Sequence, residues 1–474
     1  MSIIGAFMVP HPPLIVPEIG RGEEKGIQDT VAAYTQIGKE IAALKPETII
    51  ISSPHSVMYA DYFHISPGAA AEGNFSQFGA SQVQFHTEYD EELVHAICSE
   101  AKAAGLPAGT KGEKDPDLDH ATMVPMYFIN KFYTNYKLVR IGLSGLPYKT
   151  HYELGECIQR AVEKTGRRTV YVASGDLSHK LRDNGPYGFA QEGPIYDERI
   201  MKVMGSAEFA KLLDFDPDFC ENAAECGHRS FIIMAGVLDR TAVEVHQLSH
   251  EGPFGVGYGV CTYKPLNHDD SRNFLDQYKE AEKAVLAERK KNEDEYVGLA
   301  RATVEIYIRT GKIPKVAKDC VICDDDSFKG WHLSKDLLNR RAGTFVSLHK
   351  EGLLRGCIGT IAATRATVAE EIIHNAVSAS TQDPRFPQIN EDELSTLVYS
   401  VDVLGPTESI SSPDQLNVKK YGVICTKGYR RGLLLPNLDT VNTVQEQIAI
   451  ACRKGGIDPS EKPDLERFEV VRHT

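Results

Sequence analysis

Long apolar runs are missing from this 474-residue sequence. No stretch approaches the roughly 18 apolar residues that a membrane span needs, so the chain is not expected to cross a bilayer. The start, MSIIGAFMVPHPP, has only a short apolar run with no basic flank before it, which argues against a signal peptide and for a cytoplasmic protein. Clusters of basic charge are missing too. Lys and Arg number 52 against 66 Asp and Glu, a net charge of −14, and no Lys/Arg cluster interleaved with aromatics could follow a phosphate backbone. Nucleic acid is therefore not an expected partner. Cysteine is sparse: ten residues scattered along the chain do not resemble the dense disulfide framework of a small secreted domain, and reduced thiols are expected. Only Cys320-x-x-Cys323 has chelating spacing. Without a second such pair nearby, two half-buried core thiols explain it as well as zinc does.

What is present suffices for more than one core. A hydrophobic content of 42% over this length predicts two or three domains, and a mean hydropathy of −0.28 describes a soluble globular chain. The clearest break is the stretch 269–295, DDSRNFLDQYKEAEKAVLAERKKNEDE, which lacks Gly and Pro. Its high helix propensity and opposite charges at helical spacing predict a solvated helical linker. It separates a first domain, 1–268, from a second, 296–474. The second begins near Tyr296 with an amphipathic helix carrying Val297, Ala300, Val304, Tyr307 and Ile308 on one stripe.

In the first domain, short apolar runs predict buried strands at Ile3 to Val9, Thr48 to Ser52, Leu138 to Leu143 and Thr169 to Ala173. Helical patterns at 24–44 and 89–104 separate them, so the domain reads as α/β with a mostly parallel central sheet. The histidines fall just past those strands. His11 stands in VPHPP, His55 in SSPHS and His179 in VASGDLSH. In an open parallel sheet, ligands bind beyond the carboxyl ends of the strands, so these imidazoles are expected to converge. Pro12, Pro13 and Pro54 stiffen the backbone beside them. His120, in DLDHATMVPM, sits where it could join them.

Neutral imidazole suits Fe(II), Zn(II) and Mn(II), and a two-His-one-carboxylate set leaves open positions for substrate. The third ligand is sought in NAAECGHRSFIIMAGVL, where Glu225 would give an oxygen-rich site suited to Fe(II) and Cys226 a softer thiolate one. Both stay open. Asp176 reads either as the acceptor that orients His179 or as a helix N-cap for the segment after it. His64, His86, His95, His246 and His250 lack partners at useful spacing. The glycine-rich Glu251 to Gly259 reads as a turn or bulged strand, not a nucleotide loop.

VPHPP, SPHS, DLDHATMVP and SGDLSH, in this order over roughly 1–265, resemble the class III extradiol ring-cleavage dioxygenases, the family of the protocatechuate 4,5-dioxygenase catalytic subunit, and the related Memo proteins. The resemblance implies that His11 and His55 bind non-haem iron with a glutamate, while His120 and His179 contact substrate or oxygen and act as acid or base. It implies Fe(II), with Zn, Mn or Cu as alternatives, and a small catechol-like substrate. CGHRS is more similar to Memo, where a cysteine takes the glutamate's position. A Cys226 ligand would leave a site that binds iron or copper yet activates oxygen poorly. A non-oxidative hydrolase or lyase, and a binding protein without turnover, are the competing expectations.

The second domain reads as α+β. TFVSLHKEGLLRGCIGTI predicts a hairpin turning at Gly352, ATVAEEIIHNAVSAST a helix, and LSTLVYSVDVL a strand. Cys357 beside Arg355 is a candidate thiolate nucleophile, though a buried strand cysteine explains it better; His349 and His374 are candidate bases. Arg355 and Arg385 could clamp a carboxylate or phosphate, or Arg385 could fix the DPRFP loop. LLRGCIGT, STQDPRFPQI, SVDVLGP, GYRRGLLLPN and IACRKGGI closely resemble the AMMECR family. That resemblance implies a cleft around the RGC motif and makes Arg355, Cys357, Asp383, Arg385 and Arg431 candidate site residues without assigned chemistry. The two resemblances together imply a shared pathway with a radical-SAM partner, and a homodimer.

Overall fold

The structure is a computed structural model that describes all residues except 1, 115–116, 318–319, 323–331, 351, 439–440 and 459–460. It divides into two compact units, Met1–Glu280 and Ala281–Thr474, with the boundary inside the charged helix Phe274–Asn292. No helix among the described residues is long and apolar enough to cross a membrane.

The first unit is built on a six-stranded sheet in the order Lys137–Gly142, Thr48–Ser53, Thr169–Ser174, Ile3–Val9, Tyr258–His268, Thr241–Glu251. The first four strands pair in parallel, and the last two join through antiparallel ladders. Helices cover both faces, so the central strands are apolar on both sides. Alternation divides them between two cores. Ile50 and Tyr171 meet Leu154 and Ile158 of the helix Tyr148–Thr165, while Ile49, Ile51 and Val172 meet Tyr34 and Ile37 of the helix Gln28–Leu44. The sequence expectations for the four parallel strands hold to within one residue at each end. The helix expected at 24–44 divides, because Glu23–Ile27 is a 3-10 segment before the helix Gln28–Leu44. The segment 251–259 holds the turn 252–257 between the two antiparallel strands, with Glu251, Tyr258 and Gly259 in the strands themselves.

The second unit is α+β. One antiparallel sheet runs Leu353–Gly359, Thr344–Lys350, Leu397–Leu404, Val470–His473. Its inner face, with Val346, Leu348, Tyr399 and Val401, packs on the helices Glu295–Thr310 and Val368–Thr381. Asp294 caps the first of these, accepting the Val297 N–H at 3.1 Å. Gly352, at φ +78°, makes the expected hairpin turn. A second sheet holds Glu408–Ile410, Asp464–Phe468, Gly422–Lys427 and Arg430–Leu434. Cys320 is half-buried, its thiol directed at the Ala317 carbonyl at 3.3 Å, and Cys323 lies outside the described residues.

Candidate metal centre

Two imidazoles and a thiol meet beyond the carboxyl ends of the parallel strands. His11 follows the strand Ile3–Val9, His55 follows Thr48–Ser53, and Cys226 precedes the helix His228–Val237. One donor atom from each lies within 4.8 Å of the other two, and His11 Nε2 is 3.7 Å from Cys226 Sγ. Metal bonds of about 2.0–2.1 Å to nitrogen and 2.3 Å to sulfur place a tetrahedral N,S pair about 3.6 Å apart. The donors fit a transition-metal ion.

Local packing explains why Cys226 reaches the group. A Cβ on Gly175, in the SGD turn, would overlap the Cα of Gly227, so two glycines let the turn and the start of the helix touch. The Asp176 main-chain N–H then donates to Cys226 Sγ at 3.3 Å. Glu225 turns elsewhere. Its carboxylate accepts the His228 N–H at 2.5 Å, at the first turn of the helix, so it stands outside the His11, His55 and Cys226 group.

Hydrogen bonds assign the tautomer of His11. The Ser174 hydroxyl donates its one proton to the Ala121 carbonyl at 2.6 Å, so towards His11 Nδ1, 3.0 Å away, it accepts. Nδ1 therefore carries the hydrogen, and Nε2 presents its lone pair to the group. Asp176 accepts the main-chain N–H of His11 at 2.6 Å, so its carboxylate fixes His11 rather than the His179 ring. The N-cap expectation for Asp176 also fails. No helix follows until Glu192, because the segment after Ser174 turns back to bond the 252–257 turn.

Two further imidazoles complete the setting. The His120 ring centroid lies 4.3 Å from that of His55 and 5.5 Å from that of His11. His120 opens a helix whose N-cap, Asp119, accepts the Thr122 N–H at 3.0 Å and the Ser53 hydroxyl at 2.6 Å, tying the helix to the His55 turn. The His179 ring stacks on Tyr187 at 5.0 Å, and its Nε2 is buried with no hydrogen-bond partner among the described residues. A buried polar atom without a partner marks where another group belongs. A cleft of about 440 Å³ borders the group, lined by His55, Asn74, Ser76, Gln77 and His120 among others.

Burial sets the protonation states. It holds His120 at about 4 and His179 at about 4, each helped by the His55 ring. His11 is held well below the ordinary value by burial and by its imidazole neighbours, and burial lowers His55 against the pull of Asp119. Neutral imidazole is the form that binds metal. Burial also lifts Asp176 to about 7 and pushes the Cys226 thiol well above its ordinary value. A cation among these groups would favour their ionised forms.

Ser174, Asp119 and Tyr187 were not singled out in the sequence. Ser174 lies within the SGD motif and could have been; Tyr187 carries no local signal. The histidines set aside stay outside the group. His64 bonds the Lys111 carbonyl at 3.1 Å, and His246 faces Glu244 at 3.2 Å.

The second-domain candidates form a different arrangement. Arg355 grips Glu393 through Nε and a terminal nitrogen, both at 3.0 Å, and donates to the Pro387 carbonyl at 2.8 Å. Arg385 grips Asp383 at 2.9 and 2.7 Å and donates to the Cys357 carbonyl at 3.1 Å. Asp383 accepts the Cys357 N–H at 2.9 Å. Together Asp383 and Arg385 bond the N–H and the carbonyl of Cys357 in the edge strand Leu353–Gly359, as a neighbouring strand would. Arg385 thus fixes the DPRFP loop. Arg431, on the other sheet, pairs with Glu466 at 2.9 Å. Burial pushes the Cys357 thiol up, against the pull of Ser347, whose hydroxyl donates to it at 3.2 Å, and of Arg385. An activated nucleophile needs the reverse shift. His374 lies beside Arg365 at 3.1 Å, and neither it nor His349 hydrogen-bonds Cys357 among the described residues.

A mostly parallel α/β unit with a His, His and Cys group at its strand ends defines the first unit as a candidate metal-binding domain. A family model for the catalytic LigB subunit of aromatic ring-opening dioxygenase matches residues 5–261, more than half of the chain. A model for AMMECR1 matches residues 297–473. Protein CA_C1420 of Clostridium acetobutylicum is 39% identical, covering 100% of this chain and 99% of its own. A protein of Thermotoga maritima is 47% identical over 38% of this chain and 98% of its own. Among solved structures, PH0010 of Pyrococcus horikoshii is 30% identical over 37% of this chain and 88% of its own, with a TM-score of 0.31. The chain belongs to the LigB family and carries an AMMECR1 domain as its second unit.

Proposed function

We propose that the chain is a metal-dependent enzyme of the LigB superfamily that acts on a small phenolic or cyclic compound. The observation that carries this reading is the approach of His11, His55 and Cys226 donor atoms to within 4.8 Å. Those three residues would hold the ion. The family description, an aromatic ring-opening dioxygenase, supports dioxygen as co-substrate. Fe(II) is the ion proposed for that chemistry, whereas a thiolate donor suits Zn(II) or copper better than Mn(II). When bound, the ion supplies Lewis acidity towards a substrate oxygen. His179, neutral around pH 7, accepts the substrate hydroxyl proton at Nε2 and later returns it. His120, on the cleft wall beside His55, orients the substrate by hydrogen bonding.

A second reading rests on Cys226. With a thiol in place of the expected carboxylate, the same residues serve a hydrolase or lyase that uses no oxygen. A shared pathway with a radical-SAM partner and assembly as a homodimer are proposed alongside either reading. Metal analysis of anaerobically purified protein, followed by oxygen uptake with a panel of catechols, tests these proposals. A stoichiometric ion that disappears in His11→Ala supports the metal centre, and equal metal in wild type and variant overturns it. Oxygen uptake then favours the first reading, turnover without oxygen the second, and metal binding without turnover a binding protein.

A further inference from the structure

We propose that Asp197, backed by His250, is a positioning residue that fixes the loop presenting Asp176 and His179 to the metal centre. The inference rests on the metal-centre reading and concerns residues outside the donor group. Gly175 to Ser178 are buried but belong to no helix or strand, so their main-chain groups must find partners elsewhere. The turn 252–257 supplies them on one side. Leu177 N–H donates to the Gly257 carbonyl at 2.8 Å, Gly257 N–H to the Ser178 carbonyl at 2.8 Å, and Leu181 N–H to the Gly255 carbonyl at 3.1 Å.

Val9 and Cys226 take the N–H groups of Gly175 and Asp176, and Asp197 supplies a further partner. Its Oδ1 accepts the Ser178 N–H at 2.8 Å, and its Oδ2 faces His250 Nε2 at 3.4 Å. The Asp197 side chain is 4% exposed and that of His250 is 33% exposed, so the pair runs from the surface to the loop. A Cβ at Gly257 would strike Asp197 Oδ2, which gives that glycine a steric reason. Two residues before Ser178, Asp176 bonds the His11 N–H and donates to Cys226 Sγ; one residue after it stands His179. A displaced Ser178 therefore disturbs two of the three donors as well as the proton acceptor. The glycine-rich turn and His250 acquire a common purpose.

Cobalt(II) titration, read by its visible spectrum, and amide hydrogen exchange of segment 175–180 test this in the full chain. Asp197→Ala should bind cobalt about 10- to 100-fold more weakly, the range for partners that orient ligands, and should speed exchange at 175–180 while the strand Ile3–Val9 keeps its protection. Asp197→Asn retains an oxygen for the Ser178 N–H and should restore most of both. Should Asp197→Ala not fold, Asp197→Ser, too short to reach Ser178, takes its place. Wild-type cobalt affinity and wild-type exchange in the Ala or Ser variant would overturn the proposal, and so would a loss of affinity that Asn does not restore. If the wild type binds no cobalt, the metal-centre reading falls, and the exchange measurement still decides whether Asp197 holds the loop.

Discussion

Around His11, burial keeps imidazoles neutral and lifts Asp176 to about 7, whereas around Cys357 the carboxylates of Asp383 and Glu393 sit at about 2 beside Arg385 and Arg355. The first unit gathers donors whose lone pairs face one another. The second gathers more formal charge, yet its guanidinium forks already hold the chain's own carboxylates and carbonyls. The difference teaches that charged residues in a distinctive motif do not by themselves make a binding site. What counts is whether the protein has already satisfied them.

The comparison breaks first on metal content. His11→Ala should lose the ion, while Arg385→Ala, made in the same chain, should keep it; elemental analysis separates the two. His179→Ala should keep the ion and lower turnover by about 10²- to 10⁴-fold, the range for a lost proton transfer. Metal loss in Arg385→Ala would mean that the two regions are not chemically distinct. Next in size is stability. Asp383→Ala removes charge-assisted bonds to Arg385 and to the edge strand, and urea unfolding should show a loss of about 1.5–3 kcal/mol.

The pH dependence of thermal unfolding should differ between the two units. Arg385 beside Asp383 depresses its carboxyl, and Glu393, despite its burial, is depressed by Arg355. Their stabilisation is present above the ordinary carboxylate range and is lost as pH falls through about 2. In the first unit, burial and neighbouring Asp239 raise Glu156 from 4.5 to about 7. Its stabilisation is full below 4.5 and is lost as pH rises through 7. Acid should therefore weaken the second unit through Asp383 and Glu393 and the first through His120 and His179, whose stabilisation is lost as pH falls through about 4. Mild alkali weakens the first, a loss that Glu156→Gln lessens and Asp176 and Glu225 retain. The smallest effect belongs to Arg431→Ala. Its pair with Glu466 is partly exposed, and the expected change is below about 1 kcal/mol; a larger one would give Arg431 a role beyond this pair.

Much of the architecture was legible because its signals are local. Buried parallel strands read as apolar runs, and the rule that sites lie past strand ends pointed to His11, His55 and His179, with His120 in a loop within reach of them. The choice between Glu225 and Cys226 was not legible. The two are adjacent ahead of a helix, and which one faces the donors depends on the Gly175 and Gly227 contact between segments about fifty residues apart. Asp176 was misread for the same reason, since its partner is the main chain of His11 and a distant N–H leaves no trace in sequence. In the second unit, LLRGC and QDPRF were recognisable as motifs. Their joint task, covering an edge strand, appears only once the strand order is known.

X-ray absorption at the metal edge of anaerobically purified protein tests the central claim most directly. The account predicts nitrogen scatterers from imidazole and one sulfur at about 2.3 Å, with the sulfur absent in Cys226→Ser. A wild-type metal shell without sulfur, or protein that retains no metal at all, would contradict it.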